Sequence, residues 1–170
     1  MDGRVGMKMS IPGRGAGAGA RRCRAGLLAA LLAAAGLALP ALAAERLAAF
    51  TVDRDGIAVP LDGAAGDAAR GRALVRARDV ANCLLCHVVA DADARLAGDV
   101  GPPLDGVGSR LSPARLRLRI VDGTGANPQT VMPAYYRIDG LDRVAPAYRG
   151  KPILSAREIE DIVAYLSTLR

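Results

Sequence analysis

The chain is poor in the residue types that most often build metal sites and aromatic cores. Its 170 residues include one histidine, three cysteines, one phenylalanine and no tryptophan. A zinc site with four such ligands would need every Cys and His of the chain at once, although one of the cysteines, Cys23, lies far from the others in the sequence. The scarcity of aromatics leaves a core of mainly Ala, Val, Leu and Ile, and small domains with such cores often depend on a disulfide, a metal or a cofactor.

The first 44 residues have the pattern of an export signal. Six Lys and Arg residues precede the apolar run Ala25–Leu39, and Ala41 and Ala43 form the small-x-small pattern of a cleavage site. The apolar run is shorter than the roughly twenty residues that span a bilayer. We therefore predict a cleaved signal peptide at residues 1–44 and a periplasmic mature protein. A retained N-terminal anchor is the alternative.

Removal of this leader also removes the strong positive charge. The whole chain has 23 Lys and Arg against 17 Asp and Glu, and the leader holds six of the positive residues and one of the negative ones. The mature part, with 17 against 16, gives no support for binding to nucleic acid or to a membrane surface. Cys23 leaves with the leader, so two cysteines, one histidine and one methionine, Met132, remain.

The mature chain, about 126 residues, is long enough for one small domain, and its patterns predict an all-α class with long loops. Residues 45–66 are predicted to form an N-terminal arm with a short hairpin at Asp55-Gly56. Asp67 is the expected N-cap of a helix that leads to Cys83, with Leu74, Val75 and Val80 at roughly helical spacing.

Two further helices are predicted by their end signals. Ser112 and Pro113 begin a short helix that stops before Gly123, and Ser155-x-x-Glu158 is a capping box before an amphipathic helix at 156–169. Residues 123–153 between them form a long loop. Loops of this length are uncommon in compact domains unless they have a function.

The sequence C-x-x-C-H occurs at Cys83, Cys86 and His87. Zinc would need further ligands that the mature chain does not have, and a thioredoxin-like pair would need a βαβ context. Covalent attachment of one haem explains all three residues: two thiols bind the vinyl groups and the adjacent imidazole binds the iron. A structural disulfide with a bystander histidine is the remaining alternative.

The iron of such a haem has a sixth position, for which the candidates are Met132, a water or nothing. Met132 lies in the loop segment "TVMPAYY", and Pro133 stiffens the backbone after it. Ligation by His87 and Met132 suits electron transfer, because the thioether raises the reduction potential and closes the iron to other ligands. We therefore predict His87 and Met132 as the axial metal ligands.

For several other residues, the sequence leaves two interpretations open. A ligating histidine usually donates its second ring N–H to a carbonyl, and the "GPPL" segment places Pro102 at a suitable distance, although a plain rigid turn is equally consistent. Several residues flank Met132 and either bind the haem propionates or form core and solvated surface. They are Tyr135, Tyr136, Arg137, Arg149 and Lys151.

The segments "CLLCH", "GPPL", "VMP" and "EIEDIVAYLSTL" together resemble the single-haem class I cytochrome c fold over residues 66–170. The resemblance implies a cytochrome c domain at 67–170 in which the first and last helices cross at Gly71 and Tyr165. It also implies that Pro102 presents the carbonyl that accepts the N–H of His87.

The segments "VGPPLDGVGSRL", "LRLRIVDGT" and "NPQTVMPAYYRIDGLDRVAPAYRGKPIL" are similar to the SoxX cytochromes of bacterial sulfur oxidation. That family implies a periplasmic complex with a SoxA cytochrome, which couples thiosulfate to a cysteine of the SoxYZ carrier and passes electrons to a downstream cytochrome. The glycine-rich link Asp122–Gly125 departs from the family pattern, which puts the stiffness of this link in doubt.

The cysteine content of the mature chain is consistent with a non-catalytic role in such a complex. Once Cys83 and Cys86 hold haem, the mature chain has no thiol to carry sulfur. We therefore predict no catalytic residues, and an electron-transfer subunit whose partner performs the sulfur chemistry. A freely diffusing periplasmic electron carrier is the alternative, and the long segment 127–154 favours a docked partner over it.

Overall fold

A computed structural model describes residues 47–90 and 97–170 of the chain. The predicted signal peptide lies outside the described residues, as do the first two residues of the arm and the loop residues 91–96. The domain boundaries and the cleavage site therefore stay predictions. Across 47–90 and 97–170, no helix is long and apolar enough to cross a membrane.

The described residues form four α-helices: α1 at Ala68–Arg76, α2 at Val107–Arg110, α3 at Pro113–Asp122 and α4 at Ala156–Thr168. Three short 3-10 helices lie at Cys83–Leu85, Gly123–Gly125 and Pro146–Tyr148. Within the described ranges there is no β-strand, only one isolated bridge. The predicted all-α class with long loops is confirmed, and α2 is a single helical turn.

Each long helix begins at the residue that its sequence signal indicates. The Asp67 side chain accepts from the backbone N–H of the third residue of α1, and Ser112 does the same for α3, which has Pro113 at its first position. At α4, Glu158 donates its N–H to the Ser155 hydroxyl (3.3 Å), while its carboxylate accepts from the Ser155 N–H (2.8 Å). These bonds satisfy backbone donors that the first turn of a helix leaves free.

The helix predicted to lead to Cys83 is shorter in the structure than its spacing indicates. The helix ends at Arg76, and Ala77 is extended with φ −68° and ψ 133°. Val80 belongs to the predicted helix by its spacing, but it lies after the end of α1. Asn82 then takes the left-handed conformation with φ 48°, which Asn adopts more readily than most residues and which reverses the chain just before Cys83.

Helices α1 and α4 cross in close contact. A Cβ on Gly71 would lie 1.9 Å from the Asp161 carbonyl oxygen and 2.9 Å from Cβ of Tyr165, so only glycine fits there. The crossing that the resemblance implied is confirmed. Beside it, the Asp161 carboxylate accepts from Nε of Arg70 at 2.7 Å and from the N–H of Asp67 at 2.7 Å, which fixes the start of α1 against α4.

The N-terminal arm packs onto the helices through a tight turn. Asp53 and Gly56 pair through two backbone hydrogen bonds of 2.9 and 3.1 Å, with Arg54 in the left-handed region at φ 55°. The turn is thus centred one residue before the predicted Asp55-Gly56 and does not extend into strands. Ile57 then donates its N–H to the carbonyl of Ala114 in α3 at 3.0 Å, which attaches the arm to this helix.

A buried ion pair joins this arm to two helices. The Arg117 guanidinium of α3 donates to the Glu160 carboxylate of α4 at 2.7 and 2.8 Å, and both side chains are 5% exposed or less. Arg117 also donates to the carbonyl of Ile57 at 2.5 Å, and Glu160 accepts from the N–H of Leu61 at 2.9 Å. Each charge therefore has several partners, as buried ions require.

Candidate haem-binding site

Residues 83–87 form one tight turn that carries both thiols and the imidazole. Cys83 accepts backbone hydrogen bonds from Cys86 at 3.2 Å and from His87 at 3.0 Å. Both cysteines are free and half-buried, so the disulfide alternative is not formed in this structure. Burial raises the pKa of the Cys83 thiol to about 11, which keeps this sulfur protonated and slow to react with external reagents at neutral pH.

The loop from residue 97 to 104 lies along this turn. Its contacts are backbone hydrogen bonds from Gly98 to Leu84 (2.9 Å), from Gly101 to Cys86 (2.7 Å) and from Leu104 to Val88 (2.9 Å). The approach is close enough that a Cβ on Gly98 would lie 2.0 Å from the carbonyl oxygen of Leu85. Small residues in this loop thus let its backbone support the turn directly.

The His87 ring is held by this loop on one side. Nδ1 lies 2.7 Å from the carbonyl oxygen of Pro102, and because a carbonyl only accepts, the proton of a neutral ring resides on Nδ1. Nε2 is then the nitrogen whose lone pair is free to bind a metal. A Cβ on Gly101 would lie 2.4 Å from Cε1 of the ring, so this glycine is required for the imidazole to fit.

Met132 is presented by the long loop, which is tied down before and after it. Asn127 accepts from the N–H of Thr130 at 3.0 Å, and the Thr130 hydroxyl accepts from the N–H of Met132 at 3.2 Å. Met132 is half-buried and packs against the core. The 3-10 turn at Gly123–Gly125 begins this loop, and the Asp122 carboxylate accepts from Thr124 N–H at 3.1 Å, which makes the glycine-rich link an ordered turn.

Tyr135 connects the methionine loop to the cysteine turn. Its backbone N–H bonds to Ile120 of α3 at 3.1 Å, and its hydroxyl donates to the carbonyl of Ala81 at 3.0 Å, two residues before Cys83. Burial, with the neighbouring Cys83 and Cys86, raises the pKa of Tyr135 to about 12. The phenol is therefore neutral and remains a donor, and the two halves of the site share this hydrogen bond.

The residues that flank Met132 divide into three groups. Tyr135 and Tyr136 are buried core residues, 7% and 5% exposed. Arg137 and Lys151 line a cavity of about 500 Å³ that Met132 also borders. Arg149 is exposed and does not border it. The other walls are mostly apolar and include Val80, Pro133, Tyr148 and Ile153.

Two buried side-chain atoms in the described part of the chain lack a hydrogen-bond partner: Oδ1 of Asn82 and Nε of Arg137. Such atoms are rare in folded proteins and usually mark an absent partner. One directly precedes Cys83, and the other lies at the cavity beside Met132. Two free thiols, an imidazole and a thioether are the donors that a covalently attached haem requires, whereas the cavity beside Met132 is bordered by none of Cys83, Cys86 and His87.

Sequence patterns did not reveal Asn82 and Gly101 as parts of the site. For Gly101, its place directly before two prolines was a usable signal, because a glycine next to rigid residues often marks a close backbone approach. For Asn82, no such signal exists beyond the general tolerance of Asn for positive φ.

The helical fold and this set of donors define a small electron-transfer protein of the c-type cytochrome class. The family model for cytochrome c matches residues 68–170. This chain therefore belongs to the cytochrome c family, and membership implies covalently bound haem c.

A solved chain of SoxXA from P. pantotrophus is similar to this one, with 34% sequence identity and a TM-score of 0.65. The match covers 71% of this chain and 93% of that chain. It confirms the predicted resemblance to the SoxX cytochromes. No curated protein matches the chain significantly.

Proposed function

We propose that this chain carries one haem c, attached through Cys83 and Cys86, with His87 and Met132 as the axial ligands of the iron. Bound there, the haem would supply a one-electron Fe(II)/Fe(III) couple. The observation that carries this proposal is the 83–87 turn itself, where two free thiols and an imidazole with an unprotonated Nε2 occur together. The residues around them hold the ligands in place.

Pro102 and Gly101 orient the imidazole. The hydrogen bond from Nδ1 to the Pro102 carbonyl fixes the tautomer and increases the electron density on Nε2. Gly101 lets the supporting loop lie against the ring face. An imidazole held in this way would be a stronger and better-oriented ligand for the iron.

Met132 closes the second axial position. Its backbone is restrained by Thr130, and Tyr135 ties the following residues to α3. With a thioether on the iron, no coordination position remains for oxygen or a sulfur substrate. The chain is therefore suited to accept and pass on electrons, and not to carry out bond-making chemistry itself.

The partner reaction is the oxidation of thiosulfate in the periplasm. We infer that the chain is the SoxX-type subunit of an L-cysteine S-thiosulfotransferase of the SoxAX type, paired with a SoxA-like cytochrome. Electrons released when thiosulfate is joined to a cysteine of a SoxYZ-like carrier would pass through this haem to a downstream cytochrome. The similarity over 93% of a SoxXA chain supports this role, and so does the lack of a third cysteine after the leader.

The first test is co-expression of the full chain with haem-attachment machinery, with and without a SoxA-like protein. We expect a mass increase of one haem, a low-spin six-coordinate absorption spectrum, and a stable heterodimer in size-exclusion chromatography with light scattering. A protein that carries haem but stays monomeric at all concentrations would favour the diffusing carrier. Colourless protein with freely alkylated thiols would contradict haem binding altogether.

The second test compares Met132→Ala with Val131→Ala. Val131 is 78% exposed and adjacent in sequence, so it controls for the substitution itself. We expect Met132→Ala to open the iron to carbon monoxide in the reduced state and to lower the reduction potential, and Val131→Ala to do neither. Identical spectra for Met132→Ala and the wild type would remove Met132 from the ligand set.

A further inference from the structure

The N-terminal arm contacts the long loop that carries Met132. The family model for cytochrome c begins at residue 68, so the arm precedes the matched domain. Within the arm, the backbone N–H of Ala48 donates to the hydroxyl of Tyr136 at 2.8 Å. Tyr136 is 5% exposed and lies four positions after Met132. This hydrogen bond therefore joins the arm to the segment that presents the proposed sixth ligand.

The arm is itself attached to the rest of the protein at several points. Ala48 packs against the hydrophobic core. Further along, the N–H of Ile57 donates to the carbonyl of Ala114 in α3 at 3.0 Å. The carboxylate of Asp62 then pairs with the guanidinium of Arg157 in α4 at 2.5 Å. The donor that reaches the long loop is thus presented by a segment that is held in place.

The long loop depends on the same helix α3. The carbonyl of Ile120 accepts from the N–H of Tyr135 at 3.1 Å, and that of Val121 accepts from Tyr136 at 3.2 Å. Tyr136 is therefore held twice, by α3 through its backbone and by the arm through its hydroxyl. For Met132 to leave the iron, this part of the loop has to move, and such local openings require hydrogen bonds of the segment to break.

We propose that Tyr136 is a positioning residue through which the N-terminal arm keeps Met132 in place as an iron ligand. This inference rests on the proposed function, because it requires Met132 on the iron. The N–H of Ala48 is half-buried and bonds to Tyr136 while the loop is closed, whereas in an open loop it would bond to water. The arm thus stabilises the closed loop over an open one in which the sixth coordination position is free.

The test uses a double-mutant cycle in the full, haem-loaded chain. Tyr136→Phe removes the acceptor, Ala48→Pro removes the donor because proline has no N–H, and the third variant combines both changes. Ser167→Ala is the matched control, because its hydroxyl donates to the carbonyl of Val163 at 2.7 Å within α4. After covalent haem is confirmed by the pyridine haemochrome, the rate of carbon monoxide binding to the reduced protein is measured.

A second measurement separates local opening from a general loss of stability. Guanidinium chloride titrations of the oxidised protein are followed by circular dichroism, which reports the helices, and by the iron–sulfur charge-transfer absorption, which reports the bond from Met132 to iron. A merely structural role of Tyr136 would move both signals together, whereas opening of the long loop alone removes the second signal first.

We expect each single variant to bind carbon monoxide about fivefold faster, because the gas binds only the open form and one net hydrogen bond changes its population by about this factor. The combined variant should be no faster than the single ones, since both remove the same bond. Ser167→Ala should bind carbon monoxide at the wild-type rate. If Ala48→Pro does not yield folded protein, Tyr136→Phe against Ser167→Ala decides the question, because phenylalanine keeps the buried ring.

Three results would overturn the inference and leave the proposed function intact. In the first, Tyr136→Phe carries six-coordinate haem and binds carbon monoxide at the wild-type rate. In the second, the effects of the two single variants multiply in the combined variant, so they do not act through one bond. In the third, the iron–sulfur absorption and the circular dichroism of Tyr136→Phe are lost together. A wild type without covalent haem, or one whose reduced iron is open to carbon monoxide at once, would instead refute the proposed function.

Discussion

Gly101→Ala acts on the proposed iron ligand His87 without changing the His87 side chain itself. The added Cβ would lie 2.4 Å from Cε1 and 2.6 Å from Nδ1 of His87, whereas ordinary contacts begin at 3.4 Å. The ring and the supporting loop would therefore have to separate by about 1 Å. The hydrogen bond from Nδ1 to Pro102, now 2.7 Å long, does not survive such a separation in good geometry.

The expected cost follows from these two effects. Overpacking in a closely packed site costs typically about 1–3 kcal/mol, and the loss of a neutral hydrogen bond adds about 0.5–1.5 kcal/mol. We therefore expect Gly101→Ala to lower the free energy of unfolding by about 2–4 kcal/mol, a large part of the stability of a small domain. The electron density on Nε2 should fall with the lost hydrogen bond, which weakens the bond to iron.

Guanidinium chloride unfolding of the haem-loaded protein, followed by circular dichroism, measures the first effect, and the midpoint potential of the haem, which depends on the electron density that Nε2 donates, measures the second. Gly125→Ala is the matched control, because its Cβ would meet only Cδ1 of Leu118, at 3.8 Å. Equal stability and equal midpoint potential in Gly101→Ala and Gly125→Ala would refute the account of how His87 is held.

Two further predictions concern the buried charges. Glu160→Ala leaves the Arg117 charge buried without its partner, so the free energy of unfolding should fall by about 3–5 kcal/mol in denaturant titrations, and a loss under about 1 kcal/mol would contradict this. The hydrogen bond from Arg70 outweighs burial and lowers the pKa of Asp161. Its carboxylate therefore stabilises the fold above about pH 4, and this contribution is lost as the pH falls through the folded pKa. Asp161→Asn should thus lower the free energy of unfolding at neutral pH but not in acid, whereas the exposed control Asp142→Asn should not change it. A loss of stability in Asp161→Asn that grew as the pH fell would refute the assignment.

Local signals predicted the helices because each depends on residues within a few positions. The capping box Ser155–Glu158 and the Ser112-Pro113 start are complete in the sequence itself, and the structure forms both. The end of α1 was less predictable. Helical spacing extended it to Val80, but it ends at Arg76, where Ala77 becomes extended, and no residue between Arg76 and Asn82 is a strong helix breaker that would have indicated this end.

The long-range parts of the site could not be predicted from spacing. The hydroxyl of Tyr135 reaches Ala81 across 54 positions, and Arg117 meets Glu160 across 43. Such contacts depend on how α3 lies against α4, which sequence patterns do not define. A tyrosine next to a proposed ligand can either bind a haem propionate or pack in the core, and the sequence does not distinguish these roles. The burial of Tyr135 and Tyr136 places both in the core.

The two proposed ligands are held by largely separate supports, and this separation bears on electron transfer. His87 depends on the 97–104 loop, whereas Met132 depends on Thr130 and on the attachment of the following residues to α3. The Tyr135 hydroxyl joins the two supports. Ligands fixed in advance from both sides need little rearrangement when the iron changes charge, since the surrounding dipoles are already oriented. Hydrogen bonds thus restrain both proposed ligands, as an electron carrier requires.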